Sequence, residues 1–427
     1  MKLTTGNQFL RELQNPTEQT DNSQLDSSVL DIISRVKQAG DKALLEMTEK
    51  LDGVKLDTIP VSEAEFAEAQ EAVSDEFIAA IQTARENITA FHANQNEQSW
   101  FMNQAGGITL GQKVTPIERV GVYIPGGKAS YPSSVLMNVI PAKLAGVKEI
   151  VMTTPPDSDG RISPYVLSAA KEAGVDTVYK AGGAQAIAAL AYGTETIGNV
   201  FKIVGPGNAY VARAKKWVFG DVAIDMIAGP SEICIIADET AQPRFVAADL
   251  LSQAEHDEQA RPLLIATNRQ IAEAVKAELS RQTERLERKA VIQQSLAQNG
   301  RIILAETLSE AFDIANRIAP EHLQLMIAQP FENLSNITNA GAIFLGAYSP
   351  EPLGDYAAGP NHTLPTSGTA VFSSPLGVYD FVKKSSIIHY SNAALNKIST
   401  DIISIANAEG LTAHVNSIQI RKDENDA

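Results

Sequence analysis

The 427-residue sequence predicts an α/β protein of two Rossmann-like parallel-sheet domains, with a helical amino-terminal segment and a small carboxyl-terminal unit. Two observations carry that reading. From about Val120 to Asp238, short apolar runs end in glycine turns and lead into helical stretches: VGVYIPGG, DTVYKAGGAQ, FKIVGPGNA and AIDMIAGPSE, with VKEIVMTTPP as a further strand. A second alternation runs through RPLLIAT, RIILA, HLQLMI and AIFLG. Strands alternating with helices imply parallel sheets whose ligands bind at the carboxyl ends of the strands. Length agrees, since 427 residues exceed one ordinary core. The expected divisions are 1–118, helical and packing on 238–378; 119–237, a cofactor-binding α/β domain; 238–378, a second α/β domain with the metal and catalytic residues; and 379–427. On that scheme the cofactor domain is an insertion.

Composition narrows the function classes. The chain is 44% hydrophobic, 20% charged and 6% aromatic, with a formal charge of -16, which argues against a general phosphate-backbone binder and for small-molecule ligands. The amino terminus MKLTTGNQFLRELQ has no signal-like apolar run, and no stretch of about 18 uninterrupted apolar residues occurs, so a cytoplasmic protein is expected. The single cysteine, Cys234, excludes an internal disulfide framework and a cysteine-built zinc site. It lies in the apolar run SEICIIAD and reads as an inert buried thiol.

Taken in order, residues to about Trp100 read as helical, with Gly40 and Gly53 as punctuation and a capping box at Ser62-x-x-Glu65. His92 ends an amphipathic stretch, where a solvated or capping role is expected. In the glycine-turn region, helix amino termini could hold a pyrophosphate. Gly205-x-Gly207-x-x-Tyr210 begins like a dinucleotide fingerprint but carries tyrosine at the third glycine, and purely structural glycines are the competing reading. Phe245 to Glu258 reads as a helix whose buried stripe, Val246, Leu250 and Ala254, contains Gln253, with His256 one turn further along. A core amide left unpaired costs about 1–3 kcal/mol, so Gln253 is satisfied either by its neighbours or by something bound. Ile318 to His322 places Glu321 beside His322 just before a strand. Gly346 to Gly368, with four prolines and four glycines, is expected to be a long irregular loop carrying Asp355 and His362. Near the end, Leu411, Ala413 and Val415 alternate with Thr412, His414 and Asn416, which puts His414 on the polar face of a short strand after a stop at Gly410. His389 has no such company.

Gln253, His256, Asp355 and His414 together make an N/O ligand set suited to a borderline divalent ion, although spacing alone does not bring them together. The strings YIPGG, GGAQAIAALA, GPGNA, AGPSE, LLSQAEH, PEHL and GDYAAGPNHTLPT, in this order, resemble the histidinol dehydrogenase family. The resemblance spans essentially the whole chain. It implies oxidation of L-histidinol through the aldehyde to L-histidine with two NAD+, the last steps of histidine biosynthesis. It implies one zinc ion per subunit on Gln253, His256, Asp355 and His414. Substrate contacts would be Ser231, His322, His362 and Glu409 along with those ligands, and NAD contacts Tyr123, Gln185 and Asn208. It further implies a homodimer whose carboxyl-terminal unit, with Glu409 and His414, completes the partner's site. In that setting His322 is the expected general base and Glu321 the group that activates water. Two other classes compete: a zinc hydrolase, which would show no saturable NAD+ affinity, and a metabolite-binding protein, which would bind without turnover.

Overall fold

The structure is a computed structural model that describes residues 1–14, 22–126 and 130–423; Gly127 of the YIPGG string lies outside the described residues. No helix among them is long and apolar enough to cross a membrane. The fold is mixed α/β, and among the described residues two of three sheets are wholly parallel.

The first compact unit comprises residues 1–95 and 117–381. It holds a five-stranded sheet in the order Thr177–Lys180, Glu149–Thr154, Arg119–Tyr123, Lys202–Val204, Ala223–Ile224. It also holds a six-stranded sheet in the order Lys2–Thr5, Arg301–Leu304, Arg261–Ala266, Glu232–Ala237, His322–Met326, Ala342–Leu345. The central strand Glu232–Ala237 is buried at every position. Helices cover both faces of such sheets, so both sets of side chains are apolar and the strand reads as a continuous hydrophobic run. Cys234 belongs to that run; it is fully buried, and burial raises its thiol pKa well beyond the usual range. The chain leaves the six-stranded sheet after Thr5 and returns to it at Glu232, so the five-stranded sheet forms within that excursion.

The amino-terminal segment divides between the two sheets. Lys2–Thr5 pairs with Arg301–Leu304, and Gly6–Gln14 lies against Leu308–Ile318. The helices after it pack mainly on helices of the five-stranded sheet: Ser23–Leu51 on Gly183–Tyr192 and Ala209–Val218, and Glu63–Ala72 and Asp75–His92 on Pro164–Ala173 and Pro132–Ala145, while Asp75–His92 also reaches the 238–378 region, where the Asn87 amide donates to the Ala357 carbonyl at 2.8 Å. The cause is shape. Val29, Val36 and Leu44 on the long helix meet the alanine-rich face Ala184, Ala188 and Ala191. Gly40 breaks this helix at φ +50°, and a Cβ there would lie 2.1 Å from Glu195 Oε2. The capping box forms, with the Ser62 N–H donating to Glu65 Oε2 at 2.8 Å and the Glu65 N–H to Ser62 Oγ at 3.2 Å.

The second unit, residues 96–116 with those from 382 onward, has an antiparallel sheet of Val382–Tyr390, Ile108–Pro116 and Trp100–Gln104. Two helices follow, Asn392–Ala408 and Thr412–Asp423. The strand expected around His414 is therefore a helix. Gly410 takes φ +73°, the Leu411 N–H closes onto the Ala406 carbonyl at 2.9 Å, and the chain turns back against the helix it has just left.

Candidate active site

The acid and the histidine expected before a strand sit at the amino end of His322–Met326, not at a carboxyl end. Everything that gathers there follows from chain direction. A helix after a parallel strand runs back antiparallel to it, so its carboxyl terminus returns to the amino edge of the sheet. Pro243–Ala254, after Glu232–Ala237, thereby delivers Gln253 and the following turn with His256 to the edge where Ser231 precedes its own strand. The helix ends at Ala254, two residues short of His256 in the expected stretch; the His256 N–H donates to the Gln253 carbonyl at 3.2 Å.

One residue's backbone clamps the pair. The Glu232 N–H donates to Glu321 Oε2 at 2.7 Å, and the Glu232 carbonyl accepts from His322 Nδ1 at 2.9 Å. A carbonyl can only accept, so Nδ1 carries a proton, and Nε2 faces Asp355 Oδ1 at 3.7 Å. Gly341 permits this packing, since a Cβ there would sit 2.5 Å from the Glu321 carbonyl oxygen. Burial pushes Glu321 up to about 7. Burial also opposes charge on His322, but the Glu321 and Asp355 carboxylates outweigh it and raise the imidazole to about 10.

The segment expected to be irregular contains a short helix, Glu351–Tyr356, which the first turn of PEPLGDY supports with proline at the helix start. It places Glu351 and Asp355 four residues apart on one face, and ligand atoms of His256, Glu351 and Asp355 all lie within 4.8 Å of one another. Glu351, which the sequence reading missed, is buried and receives the Ser252 hydroxyl at 3.0 Å. Burial and then the Asp355 charge push it up to about 8. Burial works against ionisation of Asp355 too, yet His322 and His362 hold it well below the ordinary carboxylate range. Burial lowers the pKa of His256, which leaves a neutral imidazole. The Gln253 side chain is 1% exposed, and neither its Nε2 nor its Oε1 has a hydrogen-bond partner. Neutral imidazole, orphaned amide and ionised carboxylate are a donor set that fits a zinc-like cation.

His362 donates from Nδ1 to the Asp355 carbonyl at 3.0 Å and meets Ser134 Oγ through Nε2 at 3.1 Å. It lines a cavity of about 710 Å³ with His322, Asp355, Phe344 and Leu353. His92, expected to be solvated, is fully buried in that wall, with Nδ1 on Gln95 Oε1 at 2.8 Å and Nε2 without a partner. The helix face, read for its polarity alone, gave no sign of that cavity. Ser231 and Glu321 meet His362 again in a smaller cavity of about 80 Å³. Glu409 and His414 lie in the second unit, Glu409 at the end of Asn392–Ala408 and His414 on the first turn of the last helix, both exposed.

The three expected cofactor residues share a cleft of about 800 Å³ at the carboxyl edge of the five-stranded sheet. Tyr123 ends its strand and its hydroxyl accepts the Gly183 N–H at 3.1 Å. Gln185 lies in the first turn of Gly183–Tyr192, and Asn208 caps Ala209–Val218 by accepting the Val211 N–H at 3.2 Å. Tyr210, where a third glycine was absent, also lines this cleft.

Known proteins resemble this chain over nearly its whole length. The family model described as histidinol dehydrogenase matches residues 15–422. The chain is 55% identical over 427 residues to a histidinol dehydrogenase of Oceanobacillus iheyensis, covering 100% of both. It is 54% identical to one of Listeria monocytogenes, covering 99% of this chain and 100% of the relative. The crystal structure of histidinol dehydrogenase from Elizabethkingia anophelis superposes with a TM-score of 0.93 at 42% identity, covering 98% of this chain and 97% of that one.

Proposed function

The chain belongs to the histidinol dehydrogenase family, an oxidoreductase family of histidine biosynthesis, and from that premise we propose that it oxidises L-histidinol through L-histidinaldehyde to L-histidine in a zinc-dependent, NAD-linked, four-electron reaction. The observation that carries the metal part is the buried Gln253 amide with no partner, three residues before His256, whose ring crowds Asp355 and Glu351. A zinc ion on Gln253, His256, Asp355 and His414 would supply a Lewis-acidic anchor for the substrate amine and imidazole, and NAD+ against Tyr123, Gln185 and Asn208 would supply the electron acceptor.

The chain's own residues do the remainder. His322 Nε2 takes the proton released when the primary alcohol is oxidised, its tautomer fixed by the Glu232 carbonyl. With Asp355 engaged by a cation, one of the carboxylate charges that raise this imidazole would be neutralised and Nε2 would be free for that task. Glu321, raised to about 7 by burial, takes a proton from the water that adds to the aldehyde. His322 returns its proton to the aldehyde oxygen as the diol forms, and the diol then gives up its hydride, for which a second NAD+ would be the acceptor, while His322 again removes a proton. Ser231 and His362 orient the substrate from the small cavity they share with Glu321. Cys234, buried in the sheet core, has no part in a thioester route. Glu409 and His414 act across a homodimer in the partner's site, and the protein works in the cytoplasm.

The test is NADH formed per L-histidinol consumed, before and after chelation and zinc restoration. Two equivalents, lost on chelation and regained with zinc, are expected. One equivalent would stop the reaction at the aldehyde, and none from folded, zinc-loaded protein would overturn the reading.

A further inference from the structure

Lys215 of Ala209–Val218 and Asp225, just after Ala223–Ile224, form an ion pair with side chains only 2% and 1% exposed. Neither group was singled out by motif. The Lys215 ammonium also donates to the Gly205 carbonyl at 2.9 Å, and Asp225 accepts the Gly205 N–H at 2.8 Å and the Met226 N–H at 2.6 Å. Both backbone polar groups of Gly205 are therefore held by one pair. Gly205 has φ +113°, and a Cβ there would lie 2.0 Å from the Tyr123 carbonyl oxygen, so the turn is pressed against the strand that ends in Tyr123. Three residues on, the same turn delivers Asn208 and the amino terminus of its helix to the 800 Å³ cleft. On its other side the pair lines the 80 Å³ cavity with Ser231, Glu321 and His362.

A fully buried ion pair is a weak source of net stability, because desolvation offsets most of its attraction and an apolar pair of the same volume serves as well. What charge adds here is direction: an ammonium and a carboxylate fix a peptide's orientation in a way methylenes cannot. We infer that Lys215 and Asp225 are positioning residues for the dinucleotide, setting the Gly205 peptide so that Asn208 and the helix terminus meet the cofactor. Neither is among the residues that line the cleft. The inference rests on the reading of the cleft as the NAD+ site.

The experiment is calorimetric titration of the full-length, zinc-loaded protein with NAD+ and, separately, with L-histidinol, for wild type, Lys215→Arg, Lys215→Met and the neutral double variant Lys215→Met with Asp225→Asn. The double variant leaves no uncompensated buried charge, so it keeps the test open if the single neutral variant does not fold. Expected are a weakening of NAD+ binding by about tenfold or more in the neutral variants, a matching rise in KM for NAD+, a distinctly smaller loss of L-histidinol affinity, and recovery in Lys215→Arg. Folded neutral variants that bind both ligands as wild type does, or that lose both equally, would overturn it. Wild-type protein that binds L-histidinol but not NAD+ would remove both this inference and the cofactor assignment, a result visible before any substitution is made.

Discussion

The cleft at the carboxyl edge of the five-stranded sheet and the pocket at the amino edge of the six-stranded sheet are built on opposite principles. The cleft uses strand ends, glycine turns and helix amino termini, where backbone groups are open to a ligand and each contributing piece is continuous in sequence. The pocket uses side chains carried to the wrong edge for an open parallel sheet, because the helix after Glu232–Ala237 and the short helix at 351–356 bring Gln253, His256, Glu351 and Asp355 back to the start of His322–Met326. Backbone sites tolerate changes of side chain; a pocket of convergent titratable groups does not. The two should therefore fail differently when altered.

The largest separation is expected from His322→Ala. Loss of the base should lower kcat by about 10³-fold while NAD+ affinity, measured by titration, stays within a factor of about two. A parallel loss of NAD+ affinity would mean that the two regions are not independent. Next comes Glu351→Gln, which should weaken zinc binding by about 10–100-fold, read by competition with a chelating dye. The wild-type pH dependence has a defined sign: Glu351 is held protonated up to about 8, protons compete with the metal, and zinc affinity should fall as pH drops below that value. Glu351→Gln should flatten that slope. A smaller effect is expected in the cleft at Asp52, whose carboxylate lines it with one oxygen buried and unpartnered. Burial raises Asp52 from 3.8 to about 6, so its contribution to stability is present below 3.8 and lost as pH rises through 6. Asp52→Asn should therefore raise Tm by about 1–2 °C at pH 8 and leave it nearly unchanged at pH 4, with zinc content unaffected in both cases.

Much of this was legible along the chain. The alternation of strands and helices, the Ser62 capping box, the burial of Cys234 and the glycine turns at Tyr123, Gly183 and Asn208 all depend on neighbours within a few residues, and all appear in the structure. So does the dryness of the Gln253 stripe, because helical periodicity predicts burial directly. The errors share a cause. His92 sits at a helix end of ambiguous polarity and becomes buried only because another part of the chain covers it. Alternation near His414 mimics a strand, but Gly410 reverses the chain against Asn392–Ala408 and a helix forms. Glu351 looks like one acid in a proline-rich loop until a six-residue helix sets it beside Asp355.

The sequence by itself determined which segments are strands and helices in the two parallel sheets, where backbone turns open, and which residue types were available for chemistry, because local propensity and periodicity act over one or two turns. Only the tertiary structure decided that the acid–base pair stands at an amino edge, that Glu232's backbone fixes both its members, that Gln253 is left without a protein partner, and that Lys215 and Asp225 hold Gly205 from both sides. Those are relations between residues 10 to 90 positions apart, set by which way each helix returns across its sheet and by burial that strips water from groups whose new partners must then be found in the fold.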